Sequence, residues 1–120
     1  TAVFYLVKKQ TKLTDEIKAN IAYAFEESIT DVLVKKSIQA LKQEGLNRII
    51  ISGGVGANKT LRKKIITECE KNDFEFFFPD LKFCTDNGAM IALAGAFRAN
   101  LTDKNNYSFS VKPRWKLSEI

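Results

Sequence analysis

The sequence predicts an α/β fold arranged α-α-β-α-β-α around two parallel strands. Three observations carry this expectation. Apolar residues recur at helical spacing in three segments and fill a fourth, two short β-branched or aromatic runs lie between the later ones, and each run passes into a helix through a glycine-bearing polar loop. Strands that alternate with helices pair in parallel through right-handed crossovers. The composition agrees, because 120 residues that are 45% hydrophobic and 28% charged suffice for one core.

Thr1 to Lys9, with Val3, Phe4, Leu6 and Val7, reads as an amphipathic helix already under way. It begins without a methionine, so the chain is expected to be a fragment of something longer. After the polar break Gln10 to Lys12, Thr14 can cap a second helix whose apolar residues are Ile17, Ile21, Phe25, Ile29, Val32, Leu33, Ile38 and Leu41, with Gly45 as its stop. About 30 residues at 1.5 Å each make about 45 Å, longer than a domain of this size. The helix is therefore expected either to bend near Ser28 to Thr30 or to rest its far end on a missing half.

Arg48 to Ser52 holds Ile49-Ile50-Ile51 and reads as a strand buried on both faces, ended by Gly53-Gly54. Asn58 can cap the following helix, with Leu61, Ile65, Ile66 and Cys69 inward until Lys71-Asn72 ends it. Phe74 to Phe78 is the second strand, closed by Pro79. The last helix, Asn87 to about Asn100, is apolar from Ala89 to Phe97 and is expected to be buried. Two strands alone leave open edges, so further strands or a second copy of the chain are expected to complete the sheet, and the isolated fragment is expected to self-associate. Residues 1–101 read as one domain and 102–120 as an extended arm pinned by Trp115.

Charge and residue usage narrow the function. Nineteen basic against 14 acidic residues give a formal charge of +5, spread rather than clustered, which hints only mildly at nucleic acid. The absence of histidine excludes a self-contained Ser-His-Asp triad, an HExxH zinc protease and a C2H2 finger. Cys69 and Cys84 do not form a CxxC pair and read as reduced thiols, not a disulfide framework. No stretch approaches the roughly 18 apolar residues of a membrane span, and no leader pattern opens the chain, so a soluble, cytoplasmic protein is expected.

Two loops carry the chemistry. In Ser52-Gly53-Gly54-Val55-Gly56-Ala57-Asn58 the glycines allow close backbone approach to a ligand, and the helix start that follows favours an anion. The spacing is neither a Walker loop nor GxGxxG, and taken alone it reads first as a tight turn capped by Asn58. In Phe83-Cys84-Thr85-Asp86-Asn87-Gly88-Ala89-Met90, Asp86 reads first as an N-cap and, compatibly, as a metal ligand or general base. Cys84 reads as a small buried hydrophobe rather than an activated thiol. In a parallel sheet both loops lie at the carboxyl ends of neighbouring strands and face one cleft.

Gly53-Gly54-Val55-Gly56-Ala57-Asn58 followed by Leu61-Arg62, and then Cys84-Thr85-Asp86-Asn87-Gly88-Ala89-Met90-Ile91-Ala92, closely resembles the C-terminal part of the TsaD family. These are tRNA N6-adenosine threonylcarbamoyltransferases, formerly labelled O-sialoglycoprotein endopeptidases or glycoproteases. The resemblance extends over essentially the whole chain, including Pro113-Arg114-Trp115. The second motif is the more specific, since the first also resembles the adenosine loop of the actin, Hsp70 and sugar-kinase ATPases.

The resemblance implies that the chain is the back part of the second lobe of an actin-like ATPase fold. It implies a parent enzyme that moves the threonylcarbamoyl group from threonylcarbamoyl-AMP to N6 of adenosine 37 in tRNAs reading codons that begin with A. Substrate contact falls by resemblance on Asn58, with Gly53 and Gly54 approaching the nucleotide, and a metal-ligating aspartate falls on Asp86. The remaining ligands of that divalent ion, iron or zinc in the family, are two histidines of an HxxxH motif in the other lobe. The fragment alone is thus expected to hold no metal and to be inactive. Implied partners are tRNA, the adenylate, a smaller inactive paralogue and a small ATPase of the same modification complex. The rival readings are a metal-dependent glycoprotease, a small-molecule kinase of the same superfamily, and a non-catalytic interaction module.

Overall fold

The structure, a computed structural model, describes residues 1–101, 110–111 and 113–116. The chain divides into two compact units, Thr1–Asp86 and Asn87–Ile120. The first holds α1 (Ala2–Lys8), α2 (Asp15–Glu44), β1 (Arg48–Ile50), α3 (Lys59–Lys71) and β2 (Glu75–Phe77). The second holds α4 (Gly88–Arg98) and a short 3-10 turn, Ala99–Leu101. Most of the extended arm expected over 102–120 lies outside the described residues.

Local chemistry sets three helix ends where the sequence placed them. Thr14 Oγ1 accepts the Ile17 amide at 3.2 Å, and α2 then runs unbroken for 30 residues to Gly45. Gly45 turns left-handed at φ 63°, a conformation that a Cβ would strain, and its amide closes on the Leu41 carbonyl. Asn58 Oδ1 caps α3 by accepting the Leu61 amide at 2.7 Å.

β1 and β2 pair in parallel, with Arg48 beside Glu75, Ile49 beside Phe76 and Ile50 beside Phe77. The core lies between this sheet and the helices: Val34, Ile38 and Leu41 of α2 meet Leu61, Ile65 and Cys69 of α3, with Ile49, Ile51, Phe74, Phe76 and Phe78 packed against them. Burial pushes the Cys69 thiol above its ordinary pKa, with the nearby Glu68 adding to the effect.

Three expectations need correction. β1 is not buried on both faces: Ile49 is half-buried toward the core, whereas Ile50 is 73% exposed and Arg48 pairs with Glu75 at 2.9 Å on the outer side. One layer of helices covers one face of the sheet, and β-branching alone does not reveal how many layers there are. Among the described residues α4 has none that is buried, since an apolar sequence supplies a tendency to bury and not the burial itself. On α2 the buried residues are Thr30, Val34, Ile38 and Leu41, so only the last two of the expected apolar set are in the core.

Candidate functional site

The parallel pairing sends two loops from the same end of the sheet, residues 51–58 after β1 and 78–86 after β2. Ligands of open α/β sheets bind at this end.

The first loop tightens into a 3-10 turn, Gly54–Ala57, entered through Gly53 at φ 85° and ψ 174°. That backbone conformation is essentially open to glycine alone. Gly54 lies outside the left-handed region, and a Cβ built on it meets nothing within 4 Å. Neither conformation nor packing among the described residues requires glycine at that position.

Asn58 uses both ends of its amide. While Oδ1 caps α3, Nδ2 donates to Glu26 Oε1 on α2 at 2.7 Å. The amide is therefore held in one orientation, with one nitrogen proton and one oxygen lone pair beyond these two bonds. The capping expectation for Asn58 is correct.

For Asp86 the capping expectation is not. The N-cap of α4 is Asn87, in extended backbone, whose Oδ1 accepts the Met90 amide at 2.9 Å. Asp86 is exposed, and its carboxylate is not the cap. A hard carboxylate in this setting suits a divalent cation as one ligand. One carboxylate is not a metal site, and no group of three or more histidine, cysteine, aspartate or glutamate side chains that could hold an ion exists among the described residues.

Sequence reasoning missed the residue that joins the loops. Arg62, half-buried in the first turns of α3, donates from Nε to the Gly56 carbonyl at 2.6 Å. Its Nη2 donates to the Pro79 carbonyl at 3.0 Å and to Cys84 Sγ at 3.1 Å. The guanidinium lies over the Phe78 ring, 4.7 Å from its centroid. Cys84 is buried as expected, but as an acceptor for this cation as well as a small hydrophobe. Glu26 was missed as well. The sequence offered signals for both, an arginine one turn beyond the glycine loop and a carboxylate on the second helix, but not the distances that select them.

A groove of about 720 Å3 runs between α2 and α3, away from these loops. Lys64 within it binds Glu27 Oε2 at 2.9 Å, Asp31 Oδ1 at 2.6 Å and Thr30 Oγ1 at 3.0 Å. The hydrogen bonds that it donates to Asp31 and Glu27 hold its ammonium above the usual lysine pKa. This cluster clamps α3 to α2, and its lysine is already paired with acid.

Comparison with known proteins agrees with the loop motifs. Residues 1–93 match the family model TsaD, described as tRNA N6-adenosine threonylcarbamoyltransferase. Proteins carrying that same name are similar over 100% of this chain: 49% identity over 121 residues for the one from Methylobacillus flagellatus, 50% over 124 for Herminiimonas arsenicoxydans and 48% over 123 for Nitrosomonas europaea. The chain spans 36% of the length of each of these curated relatives.

Proposed function

Because the chain belongs to the TsaD family of tRNA N6-adenosine threonylcarbamoyltransferases, we propose that its full-length protein transfers a threonylcarbamoyl group from threonylcarbamoyl-AMP to the N6 amine of adenosine 37 in tRNA. In this reaction the amine nitrogen forms a bond to the carbamoyl carbon, the bond from that carbon to the phosphate oxygen breaks, AMP leaves and the amine loses a proton. The 120 residues contribute the back of the second lobe of an actin-like fold and two of the loops that face the substrate.

The observation that carries the reading is the pair of adjoining loops at the carboxyl ends of two parallel strands, one with a glycine that the fold does not need and the other with a carboxylate that the helix cap does not use. Gly53 and Gly54 let the backbone close on the adenylate, and the fixed amide of Asn58 offers its remaining donor and acceptor to it. Asp86 supplies one ligand to a divalent ion, iron or zinc, whose other ligands lie outside this chain. Such an ion, when bound, polarises a carbonyl or phosphoryl oxygen. Every other contribution of this chain is positional: it binds the nucleotide, fixes its orientation and supports the loops. Since one carboxylate cannot hold the ion, the isolated 120 residues neither retain it nor catalyse transfer.

No helix among the described residues is long and apolar enough to cross a membrane. The proposed setting is the cytoplasm, with tRNA as substrate and the inactive paralogue and small ATPase of the modification complex as partners. Incubating full-length protein with threonylcarbamoyl-AMP and tRNA should release AMP and add the threonylcarbamoyl mass to adenosine. Peptide cleavage without transfer would instead favour the glycoprotease reading.

A further inference from the structure

We infer that Arg62 is a positioning residue that fixes the spacing between the glycine loop and the Asp86 loop. The inference deepens the functional reading above and rests on it. One guanidinium on α3 reaches acceptors on both loops: the Gly56 carbonyl at 2.6 Å on one side, and the Pro79 carbonyl at 3.0 Å with Cys84 Sγ at 3.1 Å on the other. The outermost anchors each stand two residues from the side chain they would place, Gly56 from Asn58 and Cys84 from Asp86. The guanidinium carbon also lies 4.7 Å from the Phe78 ring centroid, a cation–π contact that adds a further attachment to the second loop.

The parallel sheet does not supply this spacing by itself. β1 and β2 end at Ile50 and Phe77, so 7 residues lie between the first strand end and Asn58, and 8 between the second and Asp86. Among the described residues, backbone pairing between the strands runs on to the bond from the Ile51 amide to the Phe77 carbonyl at 3.0 Å. Beyond that bond, Arg62 is a side chain that bonds to both loops. A lysine at this position would keep the charge but not the planar fork, and its one nitrogen cannot occupy both the Nε and the Nη2 positions. Arg62 reaches neither substrate nor ion in this account; it acts through the loops it holds.

The test is a comparison of full-length wild type with Arg62→Lys, measuring kcat and KM for threonylcarbamoyl-AMP in transfer to tRNA, AMP affinity at equilibrium, and thermal stability. A displacement of about 1 Å between reacting groups can cost about 100-fold in rate. The expected result is a kcat at least about tenfold lower, with AMP affinity within about threefold of wild type and the fold retained. A folded Arg62→Lys protein with wild-type kcat overturns the inference, as does a loss of kcat that only follows the loss of folded protein. Should Arg62→Lys fail to fold, Cys84→Ala removes the anchor nearest Asp86 and leaves the Gly56 and Pro79 bonds. A lowered kcat at unchanged AMP affinity supports the inference there, and an unchanged kcat overturns it. Absence of transfer in wild type itself would instead refute the functional reading on which the inference rests.

Discussion

Gly53 and Gly54 are adjacent and identical in sequence, yet they answer to different physics. Gly53 holds φ 85° and ψ 174°, so any side chain there strains the backbone although nothing lies within 4 Å of a Cβ. Gly53→Ala should therefore lower stability by about 1–3 kcal/mol in a denaturant titration of the full-length protein. Gly54→Ala meets neither strain nor contact and should leave stability unchanged or raise it by about 0.4–1 kcal/mol through the unfolded state. If Gly54 is glycine to admit a nucleotide, Gly54→Ala should weaken AMP binding measured by calorimetry despite its intact fold. Undiminished AMP binding would remove the ligand-clearance argument. Asp86 and Asn87 show how narrowly sequence reading divides such roles. Either residue type caps a helix, and the choice rests on a one-residue boundary fixed by the extended backbone of Asn87 and its bond to Met90. A cap three residues before its amide is a local relation and is legible, as Thr14 and Asn58 were. Arg62, whose partners are 6, 17 and 22 residues away, is not.

At the scale of elements, helix identity and strand order were legible because periodicity and parallel alternation are properties of the chain itself. Burial was not, because it depends on what lies opposite. α2 shows the difference. Its core face, Thr30, Val34, Ile38 and Leu41, packs on α3, while Phe25, Ile29, Val32 and Leu33 fall on roughly the other side at about 100° per residue and are exposed. Buried Thr30 would be an expensive choice for a core position without a partner, but its hydroxyl donates to the Glu26 carbonyl at 2.8 Å and accepts from Lys64. Lys64 thus ties α3 to α2 through charge as well as packing. Its pKa is raised in the folded state, so the stability it contributes is complete below the ordinary lysine value and is lost as pH rises through the folded value. Cys69 acts in the same direction, because burial disfavours its thiolate and the unfolded chain releases that proton earlier. The thermal midpoint should fall as pH is raised from about 9 to about 11, and less steeply in Lys64→Met. A Lys64→Met slope equal to that of wild type would show that the clamp contributes nothing to this dependence.

For the molecule as a whole, the second apolar face of α2, the exposed outer residues Ile50 and Phe77 of the sheet, and its two open strand edges are uncovered among the described residues. Contiguous apolar surface of this kind and unpaired strands recruit further chain. The 120 residues expressed alone should therefore self-associate, with a weight-average mass by light scattering that rises with concentration. A concentration-independent monomer would contradict this. In full-length protein the same surfaces are available to the remaining part of the molecule, of which the chain corresponds to 36% in its relatives.

The central claim is that this chain brings a carboxylate, Asp86, to a site where a threonylcarbamoyl group is transferred. The most direct measurement is single-turnover transfer from threonylcarbamoyl-AMP to tRNA by full-length wild type and Asp86→Ala, with metal content and thermal stability determined on the same samples. Asn87, not Asp86, caps α4, so the substitution should leave the thermal midpoint nearly unchanged. The account predicts loss of bound metal and a transfer rate reduced at least about 100-fold. Transfer at the wild-type rate by folded Asp86→Ala would contradict it.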